Sequence, residues 1–142
     1  MKHVIRFPVM YADTDQMGIM HHSNYLKYFE AARHALLKSL NVFYSEVENS
    51  GIIMPVIKAV LDYKRPAYFE QEIIVETKIC SSRGACIVFE AIMMNDSRQI
   101  ICTSTITLAT VGKESRKACL PPAVIRKLFI SKAAQNCCSS AI

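Results

Sequence analysis

Four ionisable side chains lie within a ten-residue stretch near the start of the chain. They are Asp13, Asp15, His21 and His22, and Gly18 separates the two pairs. Carboxylates and imidazoles are the groups that act as nucleophiles, general bases and general acids near neutral pH. The stretch directly precedes an aromatic, alanine-rich segment that we predict to be a helix. Such crowding at a helix start indicates a reactive site.

Asp15 is one of the two carboxylates in this stretch, and it could either act chemically or cap the turn. A carboxylate just before a helix N-terminus is stabilised in its charged form by backbone N–H groups and by the helix dipole. An ionised carboxylate suits a nucleophile or a general base. It could attack a carbonyl carbon directly or activate a water to do so, and the sequence leaves both routes open. The structural alternative is an aspartate that only caps the turn.

The neighbouring residues have structural interpretations as well as functional ones. We expect Asp13 and Thr14 to fix the loop through hydrogen bonds to local N–H groups. Gly18 permits a positive φ or a close backbone approach. His22 carries an imidazole, which can donate or accept a proton, or it could simply begin the helix. Because adjacent histidines usually diverge and a D-x-D pair is a weak signal, we expect no metal.

Length and composition predict one globular domain. The chain has 142 residues, of which 51% are hydrophobic and 20% charged, and we place the domain at 1–130 with a flexible tail at 131–142. No apolar run approaches the roughly 18–20 residues that span a bilayer, so we expect no membrane span. The N-terminal residues lack the apolar block of a signal peptide, which favours a cytoplasmic location.

The net charge bears on the class of ligand or partner, and the cysteines bear on the redox compartment. The net charge of +5 is compatible with nucleic acid but equally with a small anionic ligand such as a phosphorylated cofactor. The basic residues are spread out, so we expect no nucleic-acid partner. None of the six cysteines forms a C-x-x-C pair, and three lie in strand-like runs. They are typical of small apolar fillers in a reducing compartment.

Hydrophobic periodicity predicts one long buried helix. Tyr25, Phe29, Ala32 and Leu36 recur at helical spacing, and further apolar residues widen this face. We expect the helix to run from about Ser23, as its N-cap, to Leu40, with Asn41 as its C-terminal stop.

The rest of the chain is predicted to be mostly strand. Runs rich in β-branched residues, separated by short Ser, Gly, Asn and Asp turns, indicate an antiparallel sheet. A short helix follows two prolines near the C-terminus. A sheet with one face covered by the helix and with open edges favours pairing with a second copy, as a homodimer or larger assembly. The predicted strands are 3–12, 52–65, 69–82, 84–95 and 98–112.

Two segments resemble the signature of one enzyme family. The stretch YADTDQMGIMHHSNYLKYFEAAR (11–33) matches the pattern Y-x-D-T-D-x-x-G-x-x-x-H-x-x-Y-x-x-Y-F-E-x-A-R of hotdog-fold acyl-CoA thioesterases of the hydroxybenzoyl-CoA thioesterase type. The later YKRPAYFEQEIIVET (63–77) is similar to the second recurrent block of that family. The resemblance covers about residues 5–112. It implies an α+β hotdog fold, with a five-stranded antiparallel sheet wrapped around one long helix.

The resemblance also assigns roles. It places the catalytic carboxylate at Asp15 and a recurrent histidine at His22, which could orient the substrate or help protonate the departing thiolate. Backbone N–H groups around His21, His22 and Ser23 would polarise the thioester carbonyl, with Gly18 in the turn before them. Tyr25 matches the motif as a substrate contact or a core residue.

Other matched or charged residues receive weaker roles. Glu30 is a substitute candidate for Asp15, although a surface or salt-bridged role is the default for both Glu30 and Arg33. Lys64 and Arg65 could meet the phosphates of coenzyme A or lie on a solvated face. Lys113, Arg116 and Lys117 are equal candidates for the phosphates.

The resemblance thus predicts an acyl-CoA thioesterase that releases a free acid and coenzyme A without a cofactor. Two alternatives stay open. An acyl-carrier-protein thioesterase on the same scaffold would suit the net positive charge, and a non-catalytic acyl-CoA-binding protein would need neither Asp15 nor Gly18.

Overall fold

A computed structural model describes residues 1–129 of the chain. The described helices are α1 (Tyr25–Ser39) and α2 (Tyr44–Asn49), and residues 123–129 are also helical. The strands are β1 (Lys2–Pro8), β2 (Ile52–Ile53), β3 (Val56–Tyr63), β4 (Glu72–Arg83), β5 (Cys86–Asn95), β6 (Ile100–Ala109) and β7 (Val111–Gly112). The predicted flexible tail at 131–142 lies outside the described residues. Within 1–129, no helix is both long enough and apolar enough to cross a membrane.

Five strands form one antiparallel sheet in the order β1-β4-β5-β6-β3. Strands β2 and β7 form a separate two-stranded pair. The long helix α1 packs against β1 and β4. This sheet with one long helix on it confirms the predicted architecture. Short turns join β4 to β5 and β5 to β6, and strands joined in this way pair antiparallel because parallel pairing needs a long crossover connection.

The buried face of α1 is the one that its periodicity predicts. Tyr25, Phe29, Ala32 and Leu36 are each at most 3% exposed. The helix ends as expected, since Asn41 adopts a φ of 58° just past its last turn. The start differs from the prediction. A short 3-10 turn, His22–Asn24, precedes α1, and the His21 side chain caps that turn by accepting the Ser23 N–H. Ser23 is therefore not the N-cap.

Several predicted strands are shorter or divided in the structure. The strand predicted at 3–12 ends at Pro8, and Tyr11–Asp13 instead form a 3-10 turn. The segment predicted as one strand at 52–65 separates into β2 and β3, with Pro55 between them. Proline cannot donate a ladder hydrogen bond, which explains the break. The prediction missed α2, because six residues are too few to show helical periodicity.

Alternation along the inner strands follows the prediction. In β6, the side chains of Cys102, Ser104, Ile106 and Leu108 are buried, whereas the threonines between them are partly exposed. Cys80, Cys86 and Cys102 lie within strands, as expected, and carry free thiols. Strand β1 is an edge strand, which is where Pro8 is tolerated.

Candidate active site

The segment between β1 and α1 folds back on itself as a tight loop. Thr14 and Met20 form an antiparallel bridge, and the Asp15 N–H donates to the Ile19 carbonyl at 3.0 Å. At the tip, the Gly18 N–H donates to the Asp15 carbonyl at 3.0 Å, and Gly18 has a φ of 75°. A Cβ at Gly18 would meet nothing within 4 Å. The glycine is therefore required by its positive φ, and close packing plays no part.

Asp15 lines a cavity, and one oxygen of its carboxylate accepts a hydrogen bond from the loop. Its Oδ1 accepts the Met17 N–H at 2.8 Å, and the residue is partly buried. Within the described part of the chain, no donor reaches Oδ2. Asp15 lines a cavity of about 410 Å³. One oxygen is thus fixed by the loop while the other is left for a substrate or a water.

The cavity joins ionisable, apolar and basic side chains at one end of α1. Methionine and isoleucine side chains give it apolar walls, and an exposed lysine and an exposed arginine also line it. Such a mixture suits a ligand with an apolar portion and a charged portion. The lining residues are Asp15, Met17, Ile19, Met20, His22, Tyr25, Tyr63, Lys64, Arg65 and Pro66.

The tip of the helical segment faces the same cavity through His22. The His22 N–H is the first of the 3-10 turn and finds no acceptor within residues 1–129. Its carbonyl accepts the Tyr63 hydroxyl at 2.9 Å. The exposed His22 ring lies 4.2 Å from the ring of His21, centroid to centroid. An unpaired N–H at a helix start is a ready donor for a negatively charged oxygen.

Three of the six predicted site residues line the cavity, namely Asp15, His22 and Tyr25. Gly18, His21 and Ser23 do not. The imidazole Nδ1 of His21 lies 2.8 Å from the Ser23 Oγ and accepts the Ser23 N–H at 3.3 Å. The amide of Ser23 is thus partly engaged, which leaves the His22 N–H as the freer donor at this tip. The chemical roles of all six residues stay predictions.

Tyr25 is both a core residue and part of the cavity wall. It is 3% exposed, and its ring meets that of Tyr63 edge-on with centroids 5.0 Å apart. Burial raises the pKa of Tyr25, so its hydroxyl stays protonated. Tyr63, the last residue of β3, was not predicted to be a site residue. The available signal was its place at the start of the block YKRPAYFEQEIIVET.

Asp13 anchors the loop to side chains of α1, whereas local N–H groups were its predicted partners. Its side chain is almost fully buried, and Oδ1 accepts a hydrogen bond from the Lys27 Nζ at 2.6 Å. The Tyr28 hydroxyl donates to Oδ2. The Asp13 carbonyl accepts the His21 N–H at 2.8 Å and the Asn24 side-chain amide at 2.9 Å. One residue therefore ties the loop that carries Asp15 to the first turns of the helix.

This network sets the protonation of both partners. Burial alone would raise the pKa of the Asp13 carboxyl, but hydrogen bonds from Lys27 and Tyr28 outweigh it and hold that pKa below its ordinary value of 3.8. Burial, together with the hydrogen bond to Asp13, raises the pKa of Tyr28 to about 12. The pair is an ionised carboxylate and a neutral phenol at neutral pH.

Asp13→Asn tests this anchor. A carboxyl whose pKa is lowered by folding adds stability that is present above its unfolded pKa and lost as pH falls through the folded one. We expect Asp13→Asn to lower the free energy of unfolding by about 1–3 kcal/mol at pH 7. The difference from wild type should shrink below pH 3.8. Urea unfolding from pH 7 to pH 2.5 measures it, and a difference that stays constant with pH would contradict the charged anchor.

The remaining matched residues lie away from the reactive end. Glu30 is exposed and lies 3.8 Å from the His34 ring, as the surface interpretation predicts. Arg33 is 6% exposed, with its guanidinium 5.8 Å from the Phe89 ring centroid, so its predicted surface or salt-bridged role is wrong. It faces the sheet side of α1, where a cation can stack on an aromatic ring. Arg65, by contrast, lines the cavity, and its guanidinium donates to the Ile100 carbonyl at 3.0 Å.

Comparison with known proteins decides the family. The model of the thioesterase-like superfamily matches residues 9–129, which is most of the chain. The chain belongs to the thioesterase-like superfamily. Among its relatives in this superfamily is the putative acyl-CoA thioesterase YneP of Bacillus subtilis, 36% identical over 85% of this chain and 85% of that protein. Another is the acyl-CoA thioesterase YbgC of Haemophilus influenzae, 30% identical over 87% of this chain and 92% of that protein.

Solved structures of thioesterases share the fold of this superfamily member. The DHNA-CoA thioesterase of Staphylococcus aureus superposes with a TM-score of 0.86 at 22% identity, over 99% of this chain and 97% of that one. At that identity the likeness concerns the fold alone. Together with the five-stranded sheet and its long helix, it confirms the predicted hotdog fold.

Proposed function

We propose that this thioesterase-superfamily protein hydrolyses acyl-CoA thioesters to a free acid and coenzyme A. One observation carries the proposal: Asp15 and His22 line the same cavity, and within residues 1–129 the Asp15 Oδ2 has no donor and the His22 N–H has no acceptor. A base or nucleophile and an oxyanion donor are the two groups that acyl transfer needs. The names of the relatives YneP and YbgC support the substrate class.

Hydrolysis can proceed by either of two balanced routes. As a general base, Asp15 takes a proton from a water whose oxygen attacks the thioester carbon. The His22 N–H donates to the resulting oxyanion, and collapse breaks the carbon–sulfur bond, so that the thiolate leaves and takes the proton that Asp15 holds. As a nucleophile, Asp15 forms a mixed anhydride with loss of the thiolate, and water then cleaves the anhydride. Neither route requires a metal or a cofactor beyond the coenzyme A of the substrate.

The other cavity residues position the substrate in this proposal. The His22 imidazole and the neutral Tyr25 wall border the reacting end, where they orient the thioester. Lys64 and Arg65 are exposed and line the cavity, where cations suit the phosphates of coenzyme A. The Gly18 turn, the His21 cap and Ser23 shape the loop and helix tip without lining the cavity.

We further propose that a second copy pairs on the open edge of β3. This strand is last in the sheet, so one row of its backbone groups is unpaired. Three apolar side chains on it, Val56, Ile57 and Val60, are 51%, 59% and 46% exposed. Because Tyr63 of this strand and Lys64 just beyond it line the cavity, pairing there would bring the second copy to the candidate site. A homodimer or a homotetramer built from it fits this edge.

A carrier-protein thioesterase is the second candidate. The net charge of +5 would favour an acidic carrier protein as the bearer of the acyl group. Its chemistry at Asp15 would be the same, so only the carrier distinguishes the two functions.

One experiment tests these proposals together. The full chain, with its mass measured by sedimentation in the assay buffer, is given a panel of short, long and aromatic acyl-CoA thioesters, and thiol release is recorded. The same acyl groups on an acyl carrier protein form the second arm. We expect hydrolysis of at least one acyl-CoA and a mass of two or more chains. Binding without thiol release in either arm would contradict the enzyme, and faster release from the carrier protein would favour the alternative.

A further inference from the structure

The hydroxyl of Tyr63 reaches the helix tip from a distant part of the chain. It donates to the carbonyl of His22 at 2.9 Å, across 41 residues of sequence. Tyr63 is the last residue of the edge strand β3, whereas His22 begins the 3-10 turn before α1. Both residues line the cavity that contains Asp15. This bond therefore joins the sheet edge to the backbone that carries the candidate oxyanion donor.

The ring of Tyr63 packs against a buried aromatic ring. It meets the buried ring of Tyr25 edge-on, at an interplanar angle of 88° and a centroid distance of 5.0 Å. Edge-to-face pairs prefer this separation and orientation. Burial raises the pKa of Tyr63, so its hydroxyl stays a donor at neutral and moderately alkaline pH. The hydroxyl thus has a defined direction, although half of the residue is exposed to the cavity and solvent.

The backbone around His22 is anchored on both sides of its N–H. Upstream, the His21 N–H donates to the Asp13 carbonyl at 2.8 Å. Downstream, the His22 carbonyl accepts the Tyr63 hydroxyl. A donor that polarises a carbonyl must be held in direction before the reaction, because its value lies in costing no reorganisation. The His21 carbonyl, which belongs to the same peptide group as the His22 N–H, also accepts the Asn24 N–H at 2.9 Å, and the Tyr63 hydroxyl adds an anchor from the edge of the sheet.

We propose that Tyr63 is a positioning residue for hydrolysis, which holds the His22 carbonyl and thereby restrains the backbone of His22, so that the His22 N–H points at the developing oxyanion. This inference rests on the proposed function and adds a residue to it. Tyr63 acts through the backbone of His22. Its loss therefore weakens the binding of the transition state more than the binding of the ground-state substrate. The thioester itself is held by the rest of the cavity.

Tyr63→Phe tests the role with the ring retained. We expect a fall in kcat of about three- to tenfold, the value of one lost hydrogen bond, with KM within about twofold. The matched control is Tyr68→Phe. Tyr68 is also about half exposed, lies outside the cavity lining, and its hydroxyl makes no hydrogen bond within residues 1–129. We expect Tyr68→Phe to change neither constant by more than about twofold.

A spectroscopic measurement separates positioning from a general loss of structure. The full chain, labelled with ¹⁵N-histidine, is titrated with an acyl-CoA analogue in which a methylene group replaces the thioester sulfur. In wild type the His22 amide proton should move downfield when the ketone oxygen binds. In Tyr63→Phe the shift should be smaller, while the amides of His3 and His34 stay unchanged.

The outcomes distinguish this inference from the proposed function. Equal kcat for wild type and Tyr63→Phe, or an equal shift of the His22 amide, would show that Tyr63 does not position this group. A change confined to KM would make Tyr63 only a wall of the cavity and would also overturn the inference. A wild-type chain that hydrolyses none of the thioesters would contradict the proposed function itself, and the role of Tyr63 with it.

Discussion

Asp15→Asn should lower kcat/KM for acyl-CoA hydrolysis by about 10²–10⁴-fold, the range that a positioned acid–base group contributes. The substitution keeps the shape and the acceptor oxygen that holds the Met17 N–H, but it removes the negative charge. An amide neither accepts a proton from water nor forms an anhydride. Thiol release with the best substrate of the panel, followed over time at pH 7, gives the rate.

A matched aspartate substitution controls for the change of charge. Asp96 lies in the exposed turn between β5 and β6, so Asp96→Asn should leave kcat/KM within about twofold. Binding of unhydrolysed acyl-CoA by Asp15→Asn, measured by calorimetry, should persist. Full activity in Asp15→Asn would contradict the proposed mechanism.

Phe29→Ala should lower the free energy of unfolding by about 3–5 kcal/mol, the range for removal of a buried aromatic side chain. Phe29 is 1% exposed at the centre of the buried face of α1, which packs on β1 and β4. Its removal takes away buried apolar area and leaves a cavity that the surrounding sheet cannot fully close. Urea unfolding followed by circular dichroism measures the loss.

Leu26→Ala on the same helix is the control for helix propensity. Leu26 is 42% exposed, so its truncation should cost less than about 1 kcal/mol. Equal losses for the two variants would mean that α1 does not bury its Phe29 face in solution. That result would contradict the hotdog arrangement rather than the chemistry.

Periodicity and turn composition predicted most of the fold. The spacing of Tyr25, Phe29, Ala32 and Leu36 predicted α1 and its buried face, and the alternation in β6 predicted its buried side. These signals are strong because a long element repeats its pattern several times. They failed at α2 and at the 3-10 turns, where three to six residues are too few for a repeat.

The site was predicted in part, for a related reason. Asp15 and His22 were found because they crowd one short stretch, and local crowding is visible in a sequence. The buried position of Arg33 over Phe89 was not, because the signal for it lies in β5, more than 50 residues away. A charged residue in a helix is predicted to be exposed when its tertiary neighbours are unknown, because most charged side chains are exposed.

The sequence by itself determined the helix, the antiparallel strands and the candidate carboxylate, since each depends on local pattern and residue type. Only the tertiary structure decided which groups meet. It placed the hydroxyl of Tyr63 against the carbonyl of His22, buried Asp13 between Lys27 and Tyr28, and assigned the cap to His21 instead of Ser23. The physical reason is that hydrogen bonds of a few ångströms between distant segments depend on packing, which no local pattern records.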